Sequence, residues 1–159
     1  MKTTDLCDKY GDALRVMEPI GFQHFGGRIE FHGQIEAVKC YEDNTFVRAA
    51  LEKDGSDKVL VVDGGGSSHC ALLGDNIAGL AQDNHWNGII IYGYIRDSLA
   101  VSKIDIGVLA LGTSPKKSAK DKVGTANIMV SFAGVDFVPG EFVYVDEDGV
   151  VVSDRALAL

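Results

Sequence analysis

The chain's 159 residues fit one domain, and its 46% hydrophobic and 24% charged residues are ordinary globular usage. A net charge of −8, from 15 basic against 23 acidic residues, argues against direct nucleic-acid binding, which calls for a basic face. No apolar run approaches the ~20 residues of a membrane span, and three cysteines without a C-x-x-C pair speak against a disulfide framework or a zinc knuckle. The start, Met1-Lys2-Thr3-Thr4-Asp5-Leu6-Cys7-Asp8, lacks the apolar core of a signal peptide, so a cytoplasmic protein is expected.

Thr4 to Leu14 carries Leu6, Tyr10, Ala13 and Leu14 at helical spacing, with Thr4 as the expected cap and Asp5 and Asp8 in the first turn. Pro19 and Gly21 end local order. From Gly26 to Tyr41, apolar residues alternate with polar ones around Gly33, which predicts two short strands broken at that glycine. Asn44 opens a helix carrying Phe46, Val47, Ala50 and Leu51, closed by Gly55.

Val59-Leu60-Val61-Val62 is a branched, continuously apolar run that reads as a strand buried on both faces. It leads into Asp63-Gly64-Gly65-Gly66, then into a helix from Gly74 with Ile77, Leu80, Ala81 and Trp86 on one side, ended by Gly88. Ile89-Ile90-Ile91-Tyr92 is a second doubly buried strand, so Val59 to Tyr92 is a parallel strand–helix–strand crossover. Ile106 to Leu111 resembles a third such strand. Gly112 to Gly124, with Lys116, Lys117, Lys120 and Lys122, reads as a solvated loop. Beyond it, runs around Ile128–Phe132, Val135–Val138, Phe142–Val145 and Val150–Val152 alternate between turn signals and read as strands. The fold class is α/β, one domain over 1–159 with a central parallel or mixed sheet.

The chemistry-bearing residues gather at the carboxyl ends of the two central strands, the edge where open α/β sheets bind ligands. The helix start at Gly74-Asp75-Asn76-Ile77 offers unpaired N–H groups and a positive dipole end, suited to a carboxylate or phosphate. Arg96 can grip a carboxylate through two hydrogen bonds. Asp97 is a hard oxygen ligand of the kind Mg²⁺ accepts. Asp75 can act as a base or orient a water. Together they suit enolate chemistry on a small 2-oxo acid, with a divalent cation as Lewis acid. Blander readings compete. Arg96-Asp97 can be a surface ion pair, Gly74-Asp75 a helix start, and the triple glycine a tight turn rather than a phosphate loop, since no Lys-Ser/Thr pair follows it. His24, His32, His69 and His85 lack ligand spacing and read as structural; His69-Cys70 is a poor nucleophile pair, because neighbours in a strand face opposite ways.

Several runs also resemble the RraA family: Leu6-Cys7-Asp8, Phe25-Gly26-Gly27-Arg28, Gly33-Gln34-Ile35, Val38-Lys39-Cys40-Tyr41-Glu42-Asp43-Asn44, Val59 through Ser67, Ile91-Tyr92-Gly93 and Asp105-Ile106-Gly107. That family holds regulators of ribonuclease E activity and 4-hydroxy-4-methyl-2-oxoglutarate aldolases. The resemblance implies a swivelling β/β/α-type domain, a ring-shaped homotrimer, and a metal-dependent class II aldolase that releases two pyruvates and also decarboxylates oxaloacetate. The Gly-Asp and Arg-Asp pairs of the aldolases stand here as Gly74-Asp75 and Arg96-Asp97. By resemblance, the backbone of Gly74, Asp75, Asn76 and Ile77 holds the substrate carboxylate and Arg96 also binds substrate. Asp97 holds Mg²⁺ or Mn²⁺, and Asp75 handles a water. Longer aldolases carry extra C-terminal residues that help build the neighbouring subunit's site, whereas this sequence stops at Leu159. The alternative the family implies is a protein-binding inhibitor of ribonuclease E.

Overall fold

Runs of branched apolar residues build the centre of the sheet, and their alternation shows why both its faces are covered. A computed structural model describes residues 2–159, so Met1 lies outside the described residues. The strands are β1 (Arg15–Val16), β2 (Gln23–His24), β3 (Phe31–Lys39), β4 (Lys58–Asp63), β5 (Ala71–Leu73), β6 (Gly88–Ile95), β7 (Gly107–Thr113), β8 (Thr125–Ala126), β9 (Val130–Phe132), β10 (Val135–Phe137), β11 (Phe142–Val145) and β12 (Val150–Ser153). The helices are α1 (Thr3–Tyr10), α2 (Thr45–Leu51), α3 (Asp75–Asp83) and α4 (Ser98–Val101).

The main sheet runs β1-β12-β11-β3-β4-β6-β7-β2, with β5 added to β6 and β8 to β3. Its centre, β3-β4-β6-β7, is parallel, and β11, β12, β1 and β2 are antiparallel, so the sheet is mixed. Leu60 and Val62 of β4 pack with Ile89 and Ile91 of β6 on the helical face, beside Val47, Leu51, Ala78 and Ala81. Val59, Val61 and Ile90 point the other way, toward Phe132, Val135 and Phe137 of the β9–β10 hairpin. Strand periodicity of two thus yields two cores from one sheet.

Several expectations need correction. Gly33 does not break β3; it lies within a nine-residue strand. A Cβ there would lie 2.7 Å from the Asp57 carbonyl oxygen, so the glycine permits a close backbone approach. The first helix ends at Tyr10 and a 3-10 turn over Gly11–Ala13 follows, because Gly11 turns to positive φ. Thr4 is not its cap: Lys2 precedes the helix and donates its backbone N–H to Asp5. The third helix ends at Asp83, and Gly88 opens β6 instead of ending a helix. Trp86 therefore lies in the connection, yet it is buried; its indole N–H donates to the Lys53 carbonyl at 3.0 Å and its ring covers Gly55. The β4–α3–β6 crossover is parallel as expected.

Candidate active site

Strand β6 delivers the site. Arg96, just past its end, donates its backbone N–H to the Leu73 carbonyl at 2.9 Å, which ties it to the end of β5. Asp97 then adopts a left-handed backbone (φ 55, ψ 40), a conformation Asp tolerates better than most residues. Its carbonyl accepts the Val101 N–H at 2.9 Å and so opens α4. The turn sends its carboxylate across to the start of α3, where it accepts the Asp75 N–H at 3.3 Å.

Gly74 immediately precedes α3. A Cβ at this position would lie 2.6 Å from the Asp97 carboxylate oxygen and 3.3 Å from Arg96 Cγ. The glycine is therefore the space into which Asp97 folds. Gly74 offers no side-chain cap, Asp97 takes the N–H of Asp75, and the N–H groups of Asn76 and Ile77 have no intrahelical partner, as in any first helical turn. Beside them, Arg96 forms no ion pair within 4.0 Å among the described residues, and neither does Asp75 or Asp97. Arg96-Asp97 is thus not a self-satisfied surface pair.

All six expected site residues, Gly74, Asp75, Asn76, Ile77, Arg96 and Asp97, line a cleft of about 330 Å³. The sequence reading missed the opposite wall. Arg48 of α2 and Glu52, just past its end, stand there with Lys117, Ser118, Lys120 and Lys122. The stretch read as a solvated loop is pinned by buried Asp43, 2% exposed, whose carboxylate accepts the N–H groups of Thr45 at 3.0 Å and Asp121 at 2.6 Å. Burial alone would raise the Asp43 carboxyl's proton affinity. The N–H donors of Thr45, Asp121 and Val123 outweigh it and hold the group below the usual carboxylate range. The Ala119 N–H donates to the Glu42 carbonyl at 2.9 Å, and the Ala71 N–H to the Lys116 carbonyl at 2.8 Å. The one sequence signal for this wall was Asp43 two residues before a helix start, where an Asp side chain commonly accepts a backbone N–H.

The other candidates carry less. In the triple glycine, Gly64 and Gly66 donate to the Tyr92 carbonyl at 3.0 and 3.1 Å, and Gly65 to Asp63 at 2.9 Å. Those amides are spent on a tight turn. His69 pairs with Glu42 at 2.8 Å. Burial raises the Cys70 thiol and pushes Cys40 up to about 12, so neither is a ready thiolate.

No group of three or more His, Cys, Asp or Glu side chains converges among the described residues. Mg²⁺ and Mn²⁺ need no such cage, since Mg²⁺ is commonly held by one or two carboxylates with waters completing its shell. Asp97, exposed and unclaimed by any cation, fits that mode, with Asp75 beside it.

Among known sequences, an RraA-like family model described as Aldolase/RraA matches residues 3–152. A protein of Alkalilimnicola ehrlichii, provisionally named 4-hydroxy-4-methyl-2-oxoglutarate aldolase, is 52% identical over 98% of this chain and 96% of its own. Two solved structures superpose closely. One, titled S-adenosylmethionine:2-dimethylmenaquinone methyltransferase from Geobacillus kaustophilus, shares 48% identity with a TM-score of 0.96, covering 99% of this chain and 97% of that one. The other, titled RNA-processing inhibitor RraA from "Thermus thermophilis", shares 39% identity with a TM-score of 0.95, covering 99% and 95%.

Proposed function

Because this chain belongs to the RraA-like Aldolase/RraA family, we propose that it is a metal-dependent class II aldolase. It would cleave 4-hydroxy-4-methyl-2-oxoglutarate to two pyruvates and decarboxylate oxaloacetate as a side activity. The observation that carries the reading is the Arg96 guanidinium set beside two carboxylates that form no ion pair, Asp75 and Asp97, at a helix start with open N–H groups in one cleft. The methyl transfer in the Geobacillus relative's title stays with that protein. The charges in this cleft match a 2-oxo acid.

In this reading the N–H groups of Asn76 and Ile77 hold the substrate's C1 carboxylate, and Gly74 lets it approach the backbone. Arg96 binds the 2-oxo acid end from the side. Asp97 would hold a divalent cation, which would supply Lewis-acid stabilisation of negative charge on the 2-oxo oxygen. Asp75 orients a water that takes the proton of the C4 hydroxyl. The C3–C4 bond breaks, its electron pair stays on C3 as the pyruvate enolate, and the second pyruvate leaves as the new carbonyl. Proton return to C3 completes the cycle. With oxaloacetate the same bond breaks and CO₂ departs.

Pyruvate release from oxaloacetate tests this. Activity should require Mg²⁺ or Mn²⁺, vanish with EDTA, and fall at least about 100-fold in Asp97→Ala, as for loss of a group aligned on the reacting centre. A rate no greater than that of free metal, or an unchanged Asp97→Ala variant, sinks the reading. The family's homotrimer belongs to the same proposal, and a monomer in analytical ultracentrifugation would remove it.

The likeness to the RraA inhibitor, together with the net charge of −8, favours a second reading, a regulator that binds ribonuclease E. Capture of ribonuclease E at moderate salt tests it; no binding at micromolar protein counts against it.

A further inference from the structure

The cleft lies on the helical face of the sheet, and the proposed chemistry leaves the other face of the same carboxyl-terminal edge unused. On β3, β4 and β6, Lys39, Asp63 and Tyr92 stand side by side in register. Ile35 and Ala37, Val59 and Val61, and Ile90 precede them at intervals of two and pack on the hairpin side of the sheet. Strand alternation puts Lys39, Asp63 and Tyr92 on that side too, away from α2 and α3. With Tyr41, Gly65 and Val123 they line a second cavity of about 630 Å³, at the edge where open α/β sheets take ligands.

Asp63 is only 9% exposed. Its carboxylate accepts the Gly65 N–H at 2.9 Å and forms no ion pair within 4.0 Å among the described residues. A carboxylate withdrawn from water is disfavoured unless a cation or several donors meet it. Lys39 is its register neighbour, yet its exposed side chain forms no ion pair either. Two opposite charges on strands about 4.8 Å apart thus face one cavity without meeting.

The walls are aromatic, and the triple glycine makes room for them. A Cβ on Gly65 would lie 2.8 Å from the Tyr41 ring, and one on Gly66 would lie 3.0 Å from the Tyr92 ring. The bare turn therefore lets two tyrosines close on it. Tyr92 is fixed from behind by stacking on Phe132, with ring centroids 5.0 Å apart. Ring faces cover apolar groups and also attract an ammonium.

We infer that this cavity binds an α-amino acid with an apolar side chain. Asp63 takes its ammonium group, Lys39 its carboxylate, and Tyr41, Tyr92 and Val123 cover its side chain. A ligand whose opposite charges are one carbon apart matches the neighbouring-strand placement of Asp63 and Lys39. A simple amine would be repelled by Lys39, and a simple acid by Asp63. The site is separate from the cleft and does not depend on the aldolase reading.

Isothermal titration of the full protein with L-phenylalanine, phenethylamine and 3-phenylpropanoate tests it, since the second compound lacks the carboxylate and the third the ammonium. Phenylalanine should bind at least about tenfold more tightly than either, the scale of a lost charge-assisted hydrogen bond. Asp63→Asn keeps an acceptor for the Gly65 N–H; it should weaken phenylalanine about tenfold and leave 3-phenylpropanoate no weaker. Lys39→Met, at an exposed position, should weaken phenylalanine to a similar degree and leave phenethylamine no weaker, and it decides the question if Asp63→Asn does not fold. Asp97→Ala should bind phenylalanine as wild type does, because the cleft lies on the other face. The inference is overturned by no binding of phenylalanine at about 10 mM, by equal affinity for the three compounds, by unchanged binding in Asp63→Asn or Lys39→Met, or by loss of binding in Asp97→Ala.

Discussion

Gly74 shows how much of the site depends on one missing atom group. Its own backbone is not in the left-handed region, so conformational freedom does not explain the glycine. Space does: any Cβ meets the Asp97 carboxylate at 2.6 Å. Gly74→Ala should push that carboxylate off the start of α3 while leaving the packed residues behind it, Leu73 and Ile77, in place. The expected result is a fall in kcat/KM for oxaloacetate of about 100-fold, the scale of a misplaced reacting group, with a thermal midpoint within a few degrees of wild type. Retained activity in Gly74→Ala would show that Asp97 does not need this position. Arg96→Lys tests the neighbouring group by shape rather than charge. A lysine keeps the cation but loses the planar fork, so a substantial loss, on the order of tenfold, is expected in KM for a carboxylate held bidentately.

At the scale of elements, the parallel centre was readable because its signal is local. Val59–Val62 and Ile89–Tyr92 are branched, continuous and flanked by turn residues, and they form the middle of β4 and β6. The end of β6 was readable as a ligand edge for the same reason. What stayed hidden was set by distant partners. Gly33 looks like a break in sequence and is a contact surface for Asp57 in space. Lys116 to Lys122 looks like solvated loop, and only the fold shows that Asp43, 78 residues away from Asp121 along the chain, fixes it. The Arg96 and Asp97 roles came from family resemblance, since composition and spacing left a surface ion pair open. Asp43→Ala should therefore act on the loop as an element. It leaves the part-buried N–H groups of Thr45 and Asp121 without their acceptor, a cost of about 1 kcal/mol, and it should raise amide exchange at residues 117–122 more than in β4 or β6. Uniform exchange across the chain would contradict an anchoring role.

For the molecule as a whole, the decisive carboxylate is Asp146, which joins the first helix to the last hairpin. It is 1% exposed and lies just past β11. It accepts the Thr3 N–H at 2.6 Å, the Thr3 hydroxyl at 2.8 Å and the Asp148 N–H at 2.9 Å. Leu6 and Leu14 pack beside this tie against Tyr144 and Val151. Burial by itself would favour the protonated acid. The donors of Thr3, Asp148 and Gly149 favour the anion more strongly, and the folded carboxyl sits below its ordinary value of 3.8. The folded state therefore binds this proton less tightly than the unfolded chain does. Its contribution to stability is fully present above the unfolded value and is lost as pH falls through the lowered folded one. Asp43 shifts in the same direction, so the two add to the acid sensitivity of the fold. Asp146→Asn keeps the size and loses the charge. It should destabilise the protein by about 2–3 kcal/mol near neutrality, the scale of hydrogen bonds to a charged acceptor. Below 3.8 the gap between wild type and variant should narrow steadily, because the unfolded wild-type chain then takes up the proton that the folded carboxyl resists. Urea unfolding at neutral pH and at two acidic points decides it, since a gap independent of pH would mean that the anion of Asp146 is not what holds the two ends of the chain together.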